Sequence, residues 1–211
     1  MQKAIATSDT VSMHNFPMSP VTRFQVQREH LSAARTALRT ATEVIHHRMH
    51  RHPGLARLAA GTIGRAEYSR LLARSYGFYA MAEPLIGLPG KGSDCLARDL
   101  AELGVSAADI AGLPRCVRLD IGNGHAALTG ARYVLFGASL GGKVMAKAMA
   151  GRPGDEAALP VRFLTSLGEN DWKAFATGLE AALPDASSRI QAVAAATATF
   201  AAYEQWMEWH E

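Results

Sequence analysis

A helix that keeps three glycines near its middle must have a use for bare backbone. Residues 131–145 carry Gly137, Gly141 and Gly142 within six positions, inside apolar spacing that predicts one long helix from about Gly124 to Ala150. Each glycine costs about 1 kcal/mol relative to alanine in a helix interior. What offsets this is a bend, or close approach by a neighbouring helix or a flat ligand. At about 100° per residue, Gly137 and Gly141 share a face with Gly130, Ala126 and Ala148, a groove floor without side chains. Taken alone, the stretch suits helix packing and ligand binding equally well.

Composition narrows the class. The chain has 211 residues, 48% apolar and 19% charged, enough for one domain with a sizeable core. Alanine is abundant and no run shows convincing period-two alternation, so an all-α fold is expected. A formal charge of +3 and a pI near 9.0, without a dense Lys/Arg run, argue against nucleic-acid binding. No apolar run approaches the ~20 residues that span a bilayer, and no signal-peptide core precedes the first helix. Cys95 and Cys116 fit no metal spacing. A cytoplasmic protein with two reduced thiols is the expectation.

Residues 1–28 lack sustained periodicity and read as a tail, followed by one helical domain over 29–211. Leu31, Ala34, Leu38, Ala41, Ile45 and Met49 recur at helical steps. The helix they predict stops near His52-Pro53-Gly54, because the residue before proline disfavours α geometry. A short apolar segment at 55–60 leads to a second long helix over about Arg65 to Ile86. Gly87-Leu-Pro-Gly-Lys-Gly92 breaks it, and Ser93 is the expected cap of a helix from Asp94 to Leu103. Ser106-Ala-Ala-Asp109 has the form of a capping box opening a brief turn, and residues 113–120 read as irregular. Three more helices are expected: from Gly154 through about Leu167, from Asp171 to Leu183 with Asn170 as cap, and a last one opened by Pro184-Asp185.

His46, His47, His50 and His52 cluster where the first long helix ends. His46 and His50 are four apart and share a face. A single helical histidine is most often a surface or satisfied residue. A pair at this spacing holds a non-haem metal only with further ligands, and Glu67 and Glu83 on the next long helix form no Glu-x-x-His unit. The third reading is one imidazole ligating haem iron, its other ring nitrogen held by a neighbour.

Leu38-Arg39-Thr40-Ala41-Thr42-x-x-x-His46 resembles the opening motif of the bacterial haem oxygenases, especially the bacteriophytochrome-associated branch. Further pieces follow in the family's order. Tyr76-Gly-Phe-Tyr79 and Glu83-Pro-Leu85 are similar to its second helix. Tyr133-Val-Leu-Phe-Gly-Ala-Ser-Leu-Gly-Gly142 resembles its distal-helix signature. Leu167-Gly168, Trp172, Phe175, Phe200 and Trp206 are similar to its C-terminal part. The likeness runs from about residue 31 to the end.

The resemblance implies a single-domain haem-oxygenase-like helical bundle in which haem is cofactor and substrate, opened with O2 to biliverdin, carbon monoxide and ferrous iron. His46 falls on the family's proximal iron ligand. Gly137, Ala138, Ser139 and Gly141 then fall on the catalytic wall across the haem. Arg39, Arg132 and Gly142 join His46 as haem-binding residues, the arginines facing propionates. Electrons are implied to come from ferredoxin or a flavin reductase, since the chain carries no flavin, nucleotide or cluster motif. A bacteriophytochrome is the implied recipient of the bilin. Two positions depart from family patterns. Ala138 stands where animal-type enzymes carry Asp, and Phe136 where the bacteriophytochrome branch often has Glu. Both bear on proton delivery, and neither touches the axial ligand. A haem carrier or sensor of the same fold is the alternative. Thiaminase-like or di-metal relatives would want a pocket cysteine with a base, or more facing carboxylates.

Overall fold

The computed structural model describes residues 32–151, 158–166 and 169–208. The expected tail at 1–28 lies outside them. The first helix, α1 (Ala33–Arg51), opens where the Ser32 hydroxyl accepts the Arg35 N–H at 3.2 Å and closes at His52, ahead of Pro53. Proline at the first position then starts α2 (Pro53–Ala59), as its missing N–H is one a helix start leaves unbonded anyway. Next come α3 (Arg65–Leu85), α4 (Lys91–Glu102), α5 (Ala107–Gly112) and the glycine-bearing α6 (His125–Ala150). The chain ends through α7 (Arg162–Thr165), α8 (Glu169–Ala182) and α9 (Ala186–Met207). These nine helices account for all regular structure among the described residues, which contain no strand. None is long and apolar enough to cross a membrane.

Local signals set several ends as expected. Ser106 accepts the Asp109 N–H at 3.1 Å and opens α5. Asp185 accepts the Ser188 N–H at 2.8 Å while the Ser188 hydroxyl reaches back, closing a capping box on α9. Two ends differ because a distant carboxylate supplies the cap. Helix α4 begins at Lys91 rather than beyond Ser93, since Glu83, buried on α3, accepts the Gly92 and Ser93 N–H groups at 2.7 and 2.9 Å. The helix expected up to Leu167 is reduced, within the described residues, to the single turn α7, and residues 158–161 are not helical. Pro160 disfavours helix at Leu159. The turn starts where Asp99, fully buried on α4, accepts the Phe163 N–H at 2.9 Å and the Arg162 N–H at 3.3 Å. Helix α8 starts at Glu169, so Asn170 lies inside it.

The Asp99 cap has a testable weight. Asp99→Ala removes a cap and leaves buried N–H groups unbonded, a loss of about 2–3 kcal/mol. In a chain of this size the melting temperature should fall by roughly 4–10 °C, read by thermal circular dichroism.

The centre of the fold is α9, against which both α1 and α6 pack. Its face of Ala192, Ala195 and Ala196 is buried and nearly flat. A Cβ at Gly130 of α6 would stand 2.0 Å from the Ala192 carbonyl oxygen, so only glycine permits this crossing. Along α1 and α9 the contacts His46–Phe200, Arg48–Glu204 and His52–Met207 rise together, so these helices run in the same sense. At the far end of α6 the Ala148 carbonyl closes on Gly61, whose φ of +69° also suits glycine. Gly61 lies just past α2, beyond the end of α1. Helix α6 therefore also runs toward the C-terminal end of α1.

Candidate functional site

Helix α1 presents Arg35, Arg39, Thr42 and His46 at steps of four, three and four, one stripe along its surface. Thr42, at the edge of the core, is 3% exposed and donates to the Leu38 carbonyl at 2.8 Å. Its side chain also lies close enough to the Tyr133 phenol on α6 to act on that phenol's titration. The Arg35 guanidinium lies 5.6 Å from the centre of the Trp172 ring on α8, and Arg39 is exposed. His46 is reachable from solvent, with its ring centre 6.1 Å from Phe200 on α9 and 4.5 Å from His50. Enough protein surrounds the imidazole for burial to push its pKa below the ordinary 6.5, and the charges of His50 and His47 push the same way. Such an imidazole is neutral at pH 7 and carries a free lone pair.

On α6, Tyr133, Gly137 and Gly141 follow at four-residue steps. The Tyr133 ring sits 5.7 Å from Trp172. Burial raises its phenol, while Arg35, Thr42 and Arg39 pull it back. At Gly137 the nearest atom to an added Cβ would be a Trp172 ring carbon at 3.8 Å; at Gly141 no described atom lies within 4 Å. Phe136 stacks on Phe175 of α8 at 4.9 Å, and Leu140 and Val144 are exposed. The wall is apolar and thin.

The Thr42–Tyr133 contact joins the two stripes. His46 lies one turn beyond Thr42, and Gly137 one turn beyond Tyr133, each about 6 Å further along its axis. Since α1 and α6 run in the same sense, a neutral imidazole and a bare backbone wall leave this junction together. The cations Arg35 and Arg39 sit on its other side.

The sequence-derived set divides here. His46, Arg39, Gly137 and Gly141 belong to the two stripes around the junction, and Ala138 is exposed beside them. Three residues do not belong. Arg132 donates from Nε to the Ile86 carbonyl at 2.7 Å, holding the end of α3. Ser139 is buried, its hydroxyl donating to the Phe136 carbonyl at 2.7 Å within α6. Gly142 lies against α7, where a Cβ would stand 2.4 Å from the Leu164 carbonyl oxygen. Gly130 likewise serves helix packing rather than a ligand groove. The sequence reading missed Arg35 and the join made by Thr42 and Tyr133. The signal was present in the spacing of Arg35, Arg39, Thr42 and His46.

Among the described residues, no three His, Cys, Asp or Glu side chains gather as a metal-ion site. Cys95 and Cys116 are both free thiols. Glu83 and Asp99 are occupied as helix caps. Comparison with protein-family models and with curated proteins yields no match to this chain.

Proposed function

We propose that this chain binds haem through His46 and opens the macrocycle oxidatively, as a haem oxygenase releasing biliverdin, carbon monoxide and ferrous iron. One observation carries the reading: a reachable neutral imidazole and a glycine-thinned, apolar helix face both extend from the approach of Thr42 to Tyr133. The donor set suits the ligand. Haem offers an iron, a flat apolar ring and two carboxylates. The chain offers an imidazole, the half-buried ring of Phe200 beside it, and the exposed guanidinium of Arg39 on the same helix.

When bound, haem supplies the iron that activates dioxygen and the carbon framework that is cleaved, with electrons from an external donor such as ferredoxin or a flavin reductase. The residues do the rest. His46 presents its lone pair to one side of the ring. Gly137 and Gly141 keep the opposite wall thin enough for a small gas to lie beside the backbone. Leu140 and Val144 make that wall apolar. Over 136–141 the serine hydroxyl is engaged within its own helix, so protons reach this side through water held by main-chain groups.

The same observation favours a second reading. Ala138 and the inward-facing Ser139 leave no carboxylate or available hydroxyl on that wall, which suits a carrier or sensor that keeps haem intact. Hemin added to the purified protein, followed by reductant in air, separates the two. A Soret band that decays into bilin absorbance supports the oxygenase. A stable band supports the carrier, and no band at all removes haem from the account.

The lowered pKa of His46 gives a pH expectation. As pH falls below 6.5, an unfolded chain protonates this histidine before the folded one does. The group therefore costs stability progressively as pH falls from there, the loss levelling off and persisting once the folded imidazole is itself protonated, and has no effect well above 6.5. Histidine NMR of the apoprotein should place the His46 midpoint below 6.5, and hemin ligation should persist under that pH. A midpoint at or above 6.5 contradicts it.

A further inference from the structure

We propose that His50 is a positioning residue which, together with Phe200, clamps the imidazole of His46 in one plane; as a statement about iron ligation this rests on the haem reading. A histidine exposed on a helix normally samples several orientations about its side-chain torsions. A ligand residue has to be held, because an imidazole that wanders loses both strength and direction at the metal.

Two close ring contacts hold this one. The His50 ring centre lies 4.5 Å away with planes at 80°, and that of Phe200 lies 6.1 Å away at 84°. Both are edge arrangements, the geometry that aromatic pairs favour over flat sandwiches. His50 comes from the next turn of the same helix, so its distance is set by helix geometry. Phe200 comes from α9, so its contact is set by the packing of α1 on α9. The His47 ring stands about as far away as Phe200, at 6.2 Å, but projects about 100° around the helix, away from the stripe that His46 and His50 share. With one ring from its own helix and one from the core, the His46 plane is fixed from two directions while its remaining edge stays reachable.

The test uses the full chain as wild type, His50→Ala and His50→Phe. His50 is exposed, so both variants should fold. In the apoprotein, carbon relaxation of the His46 ring should show a side chain nearly as ordered as rigid backbone, with an order parameter about 0.8. His50→Ala should lower it below about 0.6, and His50→Phe should restore it. In the ferrous haem complex, the iron–imidazole stretching band should broaden in His50→Ala and sharpen again in His50→Phe. Equal order in all three apoproteins overturns the proposal, as does a failure of phenylalanine to restore what alanine removes. If the order parameters change as expected but hemin produces no Soret band in any of the three, the clamp stands and the haem reading falls.

Discussion

Replacing His46 by alanine should leave a folded protein that no longer gives the axial-imidazole signature with hemin. The side chain is exposed, so its truncation falls among surface changes that move stability by about 0.5 kcal/mol or less. Its loss as a ligand is a different matter. Removing even an outer partner of a metal ligand costs roughly 10–100-fold in affinity, so loss of the ligand itself should weaken hemin binding by about 100-fold or more. Soret titration gives the affinity, and electron paramagnetic resonance of the ferric complex gives the ligand. Imidazole supplied in solution should restore part of the signature, since the wall at Gly137 and Gly141 is unchanged. A variant that binds hemin with the wild-type spectrum would assign the iron to another residue and undo the proposed site.

The second large effect separates glycines that look alike in the sequence. Gly142→Ala drives a methyl group to 2.4 Å from the Leu164 carbonyl oxygen, and Gly130→Ala to 2.0 Å from that of Ala192. Backbone cannot yield as a side-chain tip can, so each should cost about 1–3 kcal/mol or more, a fall of roughly 3–10 °C in melting temperature. Gly141 has no described atom within 4 Å of the added carbon. Gly141→Ala should therefore stabilise the apoprotein by up to about 1 kcal/mol through helix propensity alone. Gly141→Leu, with a side chain reaching out from the same wall, should still fold and weaken hemin binding tenfold or more. Melting curves and hemin titrations on the four variants should thus rank them in different orders. If Gly141→Leu binds hemin as wild type does, the ligand does not lie against this wall.

That contrast also shows what the sequence could and could not convey. Helical spacing and local punctuation located the long helices, because Pro53, Ser106 and Asp185 act on neighbours within a few positions. The starts of α4 and α7 escaped, because Glu83 and Asp99 cap them from other helices and no local pattern records such a partner. The glycine face was visible as a face, but periodicity cannot tell which part of it meets another helix. Gly130 meets α9, Gly137 faces the Trp172 ring of α8, Gly142 meets α7, and at Gly141 no described atom lies within 4 Å of an added Cβ. Arg132 was the weaker of two candidate propionate contacts, Arg39 being the other. Only tertiary structure assigned Arg132 to the Ile86 carbonyl. His46 drew notice through the motif it resembles, whereas Arg35 drew none without Trp172 beneath it.

Taking the approach of Thr42 to Tyr133 as an apex and α1 and α6 as the two arms that leave it, leverage follows from position. Gly141 lies eight residues past Tyr133, about 12 Å along the arm. A rotation of about 10° at the apex would shift the wall there by about 2 Å, comparable to the thickness of a bound diatomic gas. The fit of anything held between the arms is therefore governed less by the residues that touch it than by one buried threonine and the phenol it meets.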